Sequence, residues 1–264
     1  MNIICLVKFV PDITGFGYDY EASSMIRNHT RMVLNPDDVC ALSFAFKVKE
    51  KHPESHLQVV SMAPTSVIPH MHDLLRLPVD RGILISDPLF AGSDTYATSE
   101  VLGSYLKSQA FDVLLSGSRS LDGATSQVPA QIAEMLGLDH MIDINKIDLE
   151  RTTGTLAVFS VEGERETTTW SMQLPGVLSL SRSSTCKLPY PSYADLQRDV
   201  SDKLTILTNK ELDLNPSHVG LEGSLTKVVN TYEAKSRKRE KTVVEADDEG
   251  INFVFDYLKE RGFV

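Results

Sequence analysis

Short apolar runs and helical stripes alternate through the first half of the chain. Residues 3–10 are almost wholly apolar, stop at Pro11-Asp12 and predict a strand. A loop with Gly15 and Gly17 follows, with a small hairpin before Leu34. Asn35-Pro36-Asp37-Asp38 is a helix start, combining a capping residue, a first-turn proline and acids beside the positive end of the dipole. Val39, Leu42 and Phe46 are that helix's buried stripe. Residues 57–62 predict a second strand, Pro64-Thr65-Ser66 opens a helix to about residue 77, and 83–86 is a third strand. The loop 87–93 leads into a helix over 94–110, apolar at Ala97, Val101, Leu102, Tyr105 and Leu106. A fourth buried strand, Val113-Leu114-Leu115, runs into a small, polar loop with two glycines. Ser126 caps the helix that follows, with Val128, Ile132, Met135 and Leu136 at helical spacing and Gly137 as its stop.

Four strand–loop–helix units in succession imply an α/β fold with a doubly wound, mostly parallel sheet and helices on its faces. Their loops emerge together at the carboxyl ends of the strands, where open α/β sheets bind ligands. The expected caps Asn35, Ser66, Asp94 and Ser126 then line one crevice. Strand, glycine loop and capped helix at 113–137 form a geometry that aims backbone N–H groups at an anion, usually a phosphate. The same residues equally suit an ordinary βα turn, in which Gly and Ser only permit a tight bend.

After Gly137 the pattern changes. Residues 155–161, 166–174 and 177–181 predict strands separated by Gly163 and Pro175-Gly176, an antiparallel extension of the sheet. Residues 182–201, with Pro189 and Pro191, predict an exposed excursion. Beyond Leu207 the chain is polar until a final helix over 247–261, with Phe253, Val254, Tyr257 and Leu258 on one side. The expected division is an α/β domain over 1–207 and a C-terminal arm over 208–264. The helix of that arm suits either another subunit or its own domain.

Composition narrows the function classes. A chain of 264 residues buries a substantial core. A formal charge of −10 argues against nucleic acid and anionic membrane as partners. The basic run Lys235-Ser236-Arg237-Lys238-Arg239-Glu240-Lys241 is either a solvated linker or a contact for an acidic partner. No stretch approaches a transmembrane length, and the amino terminus lacks a leader pattern. Cys5, Cys40 and Cys186 have no metal-site or dithiol spacing, which points to reduced thiols and a cytoplasmic location. Metal-site and nucleophile motifs are equally wanting. His70-Met71-His72 has neither acidic nor cysteine company, no Walker-type motif occurs, and Gly15-Phe16-Gly17 lacks the third glycine of a dinucleotide fingerprint. The chain is a binder of a nucleotide-shaped molecule without acid–base machinery of its own, which disfavours a stand-alone ATP-using enzyme.

These motifs add up to a resemblance. Val7-Lys8-Phe9-Val10-Pro11-Asp12, Leu34-Asn35-Pro36-Asp37-Asp38 and Val59-Val60-Ser61-Met62-Ala63-Pro64 come first. Asp80-Arg81-Gly82-Ile83-Leu84-Ile85-Ser86-Asp87, Ala91-Gly92-Ser93-Asp94-Thr95-Tyr96-Ala97-Thr98 and Asp122-Gly123-Ala124-Thr125-Ser126-Gln127-Val128 follow. Leu174-Pro175-Gly176-Val177-Leu178 and Thr226-Lys227-Val228-Val229 complete the series. In this order they resemble the beta subunit of electron transfer flavoprotein along nearly the whole chain. The resemblance implies an electron-carrier subunit in a heterodimer with an alpha subunit, served by a flavin dehydrogenase or similar redox partner. It implies an adenine-nucleotide pocket built from Leu6, Asn35, Asp38, the backbone at Met62, and the loop Gly117, Ser118, Arg119, Ser120, Leu121, Asp122, Gly123, Ala124, Thr125, Ser126, Gln127 and Val128. Asp94, Thr95 and Thr98 face the same ligand from the neighbouring unit. The small residues of both loops resemble the sub-group that binds FAD here and is associated with electron bifurcation. The alternative is AMP as a structural ligand in a subunit that only completes the alpha subunit's flavin site.

Three departures from the family pattern stand out. Ala124 replaces an acid. Tyr193 occupies the position of an apolar leucine anchor for the redox partner, with Arg198-Asp199-Val200-Ser201-Asp202-Lys203 in place of a lysine-rich run. An arginine near Phe159-Ser160 is absent. They bear on the redox partner more than on the fold or the nucleotide.

Overall fold

Side-chain alternation along the central strands sets the architecture. The computed structural model describes residues 1–12, 18–19, 24–25, 31–182, 186–227 and 242–263. In β1 (Asn2–Leu6), Ile3 and Cys5 enter one apolar cluster while Ile4 and Leu6 enter another on the opposite face. β6 (His56–Met62), β7 (Arg81–Ile85) and β8 (Val113–Gly117) repeat that division. Such runs, apolar on both sides, are what a parallel strand covered on two faces requires. α1 (Pro36–Lys51) and α2 (Ile68–Leu75) supply Leu42, Phe44, Met71 and Leu75 to the first cluster. α3 (Thr95–Lys107) and α4 (Val128–Leu136) supply Val101, Leu106 and Ile132 to the second.

The remaining strands are β2 (Phe9–Pro11), β3 (Tyr18–Asp19), β4 (Ser24–Met25), β5 (Met32–Leu34), β9 (Asp139–Ile147), β10 (Leu156–Glu162), β11 (Thr167–Gln173), β12 (Gly176–Leu180) and β13 (Leu204–Leu207). The nine-stranded sheet has the order β11-β10-β9-β12-β8-β1-β6-β7-β13. Every neighbouring pair from β9 to β13 across the sheet is parallel, and only β9–β10 and β10–β11 are antiparallel. The chain steps outward from β1 through β6 to β7, then returns by α3 to β8 on the other side of β1. β1 and β8 therefore flank the point where the order reverses, which is where a doubly wound sheet opens a ligand crevice.

Several local features differ from the sequence expectation. The apolar run 3–10 is split, because Asp38 takes the N–H of Lys8 and Phe9–Pro11 turns aside to pair with β5. Residues 177–181 belong to the parallel part, since β12 lies between β8 and β9. β9 itself is an additional strand with little apolar alternation, interrupted by Asp143 at φ 55°. Ser66 lies inside a 3-10 turn (Thr65–Val67) that precedes α2 and is not a cap. Gly137, at φ 65°, ends α4 in the left-handed conformation expected of it. The loop with Gly15 and Gly17 and the basic run 235–241 lie outside the described residues.

Residues 1–228 form one compact unit and 229–264 another. The first includes β13 and the single turns α5 (Tyr193–Leu196), α6 (Asn209–Leu212) and α7 (Gly220–Gly223). The second holds α8 (Asp248–Glu260), capped by the Asp247 carboxylate on the N–H of Gly250. Phe253 and Tyr257 stack along α8 with ring centroids 6.5 Å apart. Ile251, Val254, Phe255 and Leu258 extend the apolar arc, opposite Glu249, Asp256 and Glu260.

Candidate functional site

A cleft of about 1030 Å³ opens at the carboxyl ends of β1, β6, β7 and β8. Leu6, Val60, Met62, Ile85 and Leu102 give it an apolar wall, and the starts of α3 and α4 give it a polar one. Its size is at the top of the ~300–1,000 Å³ range typical of small-molecule sites.

The amino end of α1 organises the polar side. Asn35 stands at the cap position yet makes no side-chain capping bond. Its carboxamide donates to the carbonyl of Arg119 (2.9 Å) and accepts the N–H of Leu121 (3.2 Å). Asp37 accepts the N–H of Arg119 (3.2 Å), and Asp38 accepts those of Lys8 (2.7 Å) and Gly117 (2.9 Å). Three residues of α1's start thus hold alternate amides of the loop after β8. Gly117 is required for this grip, because a Cβ there would collide with the Asp38 carboxylate and lie 2.6 Å from the Cβ of Asp37. Burial pushes the Asp38 carboxyl up to about 7, against hydrogen bonds from Lys8, Asn35 and Gly117 and with repulsion from Asp37. Burial raises Asp37 as well, opposed by the Arg119 amide and by Arg182 and Arg119.

The anion-binding capacity consequently lies later than the glycine loop suggests. The N–H groups of Gly117, Arg119 and Leu121 are spent on α1. Those of Thr125, Ser126, Gln127 and Val128 have no partner among the described residues, and all four residues line the cleft. They are the start of α4, where free amides and the helix dipole favour an anion. Ser126 is not the cap. Gln127 holds that position, while Ser126 and Ala124 adopt left-handed backbones at φ 56° and 50°. A Cβ added at Gly123 would meet nothing closer than Ser120 Oγ at 3.6 Å, so the protein's own packing does not demand a glycine there.

The start of α3 completes the polar wall beside that of α4. Asp94 caps it by accepting the N–H of Ala97 (3.0 Å), and its other oxygen accepts the N–H (2.8 Å) and hydroxyl (2.9 Å) of Thr226. Burial acts to raise the Asp94 carboxyl, but these hydrogen bonds together hold it below the usual range. Thr95 donates to the Gln127 carboxamide at 2.9 Å, joining the starts of α3 and α4. Thr98 lines the same wall.

Most residues named from the sequence meet at this cleft: Leu6, Asn35, Asp38, Met62, Asp94, Thr95, Thr98, Gly117, Ser118, Arg119, Ser120, Gly123, Thr125, Ser126, Gln127 and Val128. Leu121, Asp122 and Ala124 do not line it. Leu121 is engaged through its N–H, and Asp122 pairs with the ammonium of Lys8 at 2.7 Å. Tyr193 lies elsewhere, on α5, and is 78% exposed. Lys8, Phe90 and Thr226 also line the cleft, three positions that sequence reasoning does not assign to the ligand. Lys8 is visible as part of Val7-Lys8-Phe9-Val10-Pro11, but only the fold brings it opposite residue 122.

No group of three or more metal-ligating side chains occurs among the described residues, and no described helix is long and apolar enough to cross a membrane. None of the three cysteines is in a disulfide. The site offers binding surface, fixed amides and hydroxyls, consistent with holding a cofactor that carries its own chemistry.

Comparison with known proteins identifies relatives of the whole chain. The model of the electron transfer flavoprotein domain matches residues 23–198. The electron transfer flavoprotein subunit beta of Thermoanaerobacterium thermosaccharolyticum is 32% identical, over 88% of this chain and 87% of the relative. Subunit CarD of the caffeyl-CoA reductase-Etf complex of Acetobacterium woodii is 29% identical over 88% of this chain and 87% of its own. The FixA protein of Azorhizobium caulinodans is 27% identical over 93% of this chain and 89% of its own. A parallel sheet that opens a nucleotide-sized cleft at its point of reversal, matched over most of its length by these relatives, belongs to the electron transfer flavoprotein family, as a chain of the beta-subunit kind.

Proposed function

We propose that this subunit binds FAD in the cleft and, paired with an alpha subunit in the cytoplasm, passes electrons between a dehydrogenase-type donor and an acceptor, as a carrier whose resemblance is to the sub-group associated with flavin-based bifurcation. The observation that carries the FAD reading is the volume of the cleft, about 1030 Å³, with the unpartnered amides at the start of α4 on its polar wall. A mononucleotide needs only part of that volume. The residues suit the group: amides 125–128 and the hydroxyls of Thr125 and Ser126 for a pyrophosphate, and Leu6 and Met62 for an adenine face. Bound there, FAD supplies reversible electron transfer, while the chain's own residues bind it, orient it and exclude water. The resemblance in the Asp94-Thr95 and Asp122-Gly123-Ala124 loops supports FAD over AMP in the same way.

The test is a count of flavin by absorbance and of released nucleotide by chromatography from the purified heterodimer. About two FAD and little AMP are expected, one at each of two sites saturated at working concentration. One FAD and one AMP overturn the FAD reading and leave a structural AMP-binding subunit. Gly123→Asp introduces charge and bulk where the fold itself tolerates a Cβ, and should lower flavin in this subunit alone.

A further inference from the structure

The three acids that line the cleft are all turned onto backbone N–H groups. Asp38 accepts the N–H groups of Lys8 and Gly117, Asp87 those of Leu89 and Asn209 (both 2.9 Å), and Asp94 those of Ala97 and Thr226. The lining side chains that carry positive charge are Lys8 and Arg119. Arg119 leans toward Asp143 on β9, 3.9 Å away. Lys8 has a different situation. Its N–H is fixed by Asp38 and its carbonyl accepts the N–H of Asn35 (2.8 Å), so its main chain is anchored at the floor of the cleft. Its ammonium reaches both oxygens of Asp122, at 2.7 and 2.9 Å, and both side chains are substantially exposed, 48% and 39%.

An exposed lysine–carboxylate pair contributes little to stability, so its ammonium can change partners at little cost. A diphosphate carries more charge than one carboxylate and offers several acceptor oxygens. Asp122, on losing the lysine, keeps the N–H of Gly123 at 2.8 Å and so still holds the loop turn. We propose that Lys8 is the phosphate-recognising cation of this cleft, and that Asp122 is its exchangeable counter-ion, holding the ammonium until the diphosphate of an adenine nucleotide takes it over. This rests on the nucleotide reading above. It assigns Asp122 a role outside the ligand's contact surface: it sets how much of the lysine's attraction is available to the ligand, and so tunes affinity without touching it.

Isothermal titration of the nucleotide-free heterodimer with ADP, and with adenosine as the phosphate-free control, tests the exchange. Lys8→Met keeps the stem and removes the charge; it should weaken ADP binding about tenfold, the scale of one charge-assisted contact. Asp122→Asn should tighten ADP binding severalfold by freeing the ammonium, and the double variant should match Lys8→Met alone. Adenosine affinity should stay constant throughout, and Lys8→Arg should restore ADP binding. Weaker or unchanged ADP binding in Asp122→Asn, independent effects in the double variant, or equal changes for adenosine overturn the exchange while leaving a nucleotide site in place. Failure of the wild type to bind either probe overturns both the exchange and the nucleotide reading.

Discussion

At the residue scale, the two glycines of the loop after β8 make opposite demands. A Cβ at Gly117 would run into the Asp37 and Asp38 side chains, whereas one at Gly123 would make only an ordinary contact with Ser120 Oγ at 3.6 Å. Gly117→Ala should therefore destabilise the fold by ~1–3 kcal/mol, the usual cost of forcing extra volume into a packed site. Gly123→Ala should leave thermal unfolding within a degree or two and change ligand content alone; a large drop in melting temperature for Gly123→Ala would contradict this. Asp38 makes a second prediction. Its folded-state pKa, about 7, lies above the ordinary 3.8, so the folded form keeps a proton that the unfolded chain has released between those values. Stability from this group is thus fully present below about pH 4 and is lost as pH rises through about 7. Asp38→Asn cannot titrate, and its amide N–H₂ opposes one of the two backbone donors. Its destabilisation relative to wild type, read from urea midpoints, should be larger at pH 5 than at pH 8. A penalty that grows over that interval would mean the carboxylate is held charged instead.

At the scale of elements, the start of α3 joins two distant parts of the chain through one carboxylate. Asp94 caps the helix and also receives Thr226, and Ser224 accepts the N–H of Asp94 at 2.8 Å. Removing an N-cap side chain alone costs ~0.5–2 kcal/mol, and Asp94→Ala also unties Thr226, so its loss should reach the upper end of that range. Hydrogen exchange should rise at both residues 95–98 and 224–226; protection retained at 224–226 would show that Thr226 is held by other contacts. The buried strands and α1, α3 and α4 were legible in the sequence because their apolar periods are strong and their neighbours are near in the chain. β9 was not, because Asp139, His140, Asp143, Asn145 and Lys146 break its alternation; its place is set by pairing with β12 and β10. The site shows the same limit. Strand, glycine loop and helix foretold amides at the carboxyl edge, but α1's use of those at 117, 119 and 121 spans some eighty positions of sequence and has no local signature. Asn35 illustrates the reason: its residue type suits a helix cap, and tertiary pairing with Arg119 and Leu121 wins over that local preference.

At the scale of the molecule, two features face outward from the α/β unit and its C-terminal extension. Tyr193 stands on α5, held by a reciprocal Ser192–Asp195 capping box and mostly exposed. A large aromatic presented on a fixed turn suits an interface anchor, worth ~2 kcal/mol or more where it becomes buried. Tyr193→Ala should slow electron delivery to the acceptor without altering flavin content; equal loss of flavin would assign the residue to the fold. The extension carries the second feature. α8 has thirteen residues, of which only Gly250 is buried, while Phe253, Val254, Phe255 and Tyr257 are between 43% and 52% exposed. Isolated helices shorter than ~12–15 residues are marginal in water, so its cap and its Phe253–Tyr257 stack are weak support by themselves. A surface of this kind gains stability chiefly by burying its apolar arc. The family resemblance makes the alpha subunit the expected cover. Deleting residues 245–264 should then leave the melting of the α/β unit unchanged when the chain is produced alone, and weaken co-purification with the alpha subunit. Undiminished co-purification would exclude α8 from the heterodimer contact. A lowered melting temperature in the truncated chain alone would show instead that the helix supports its own subunit.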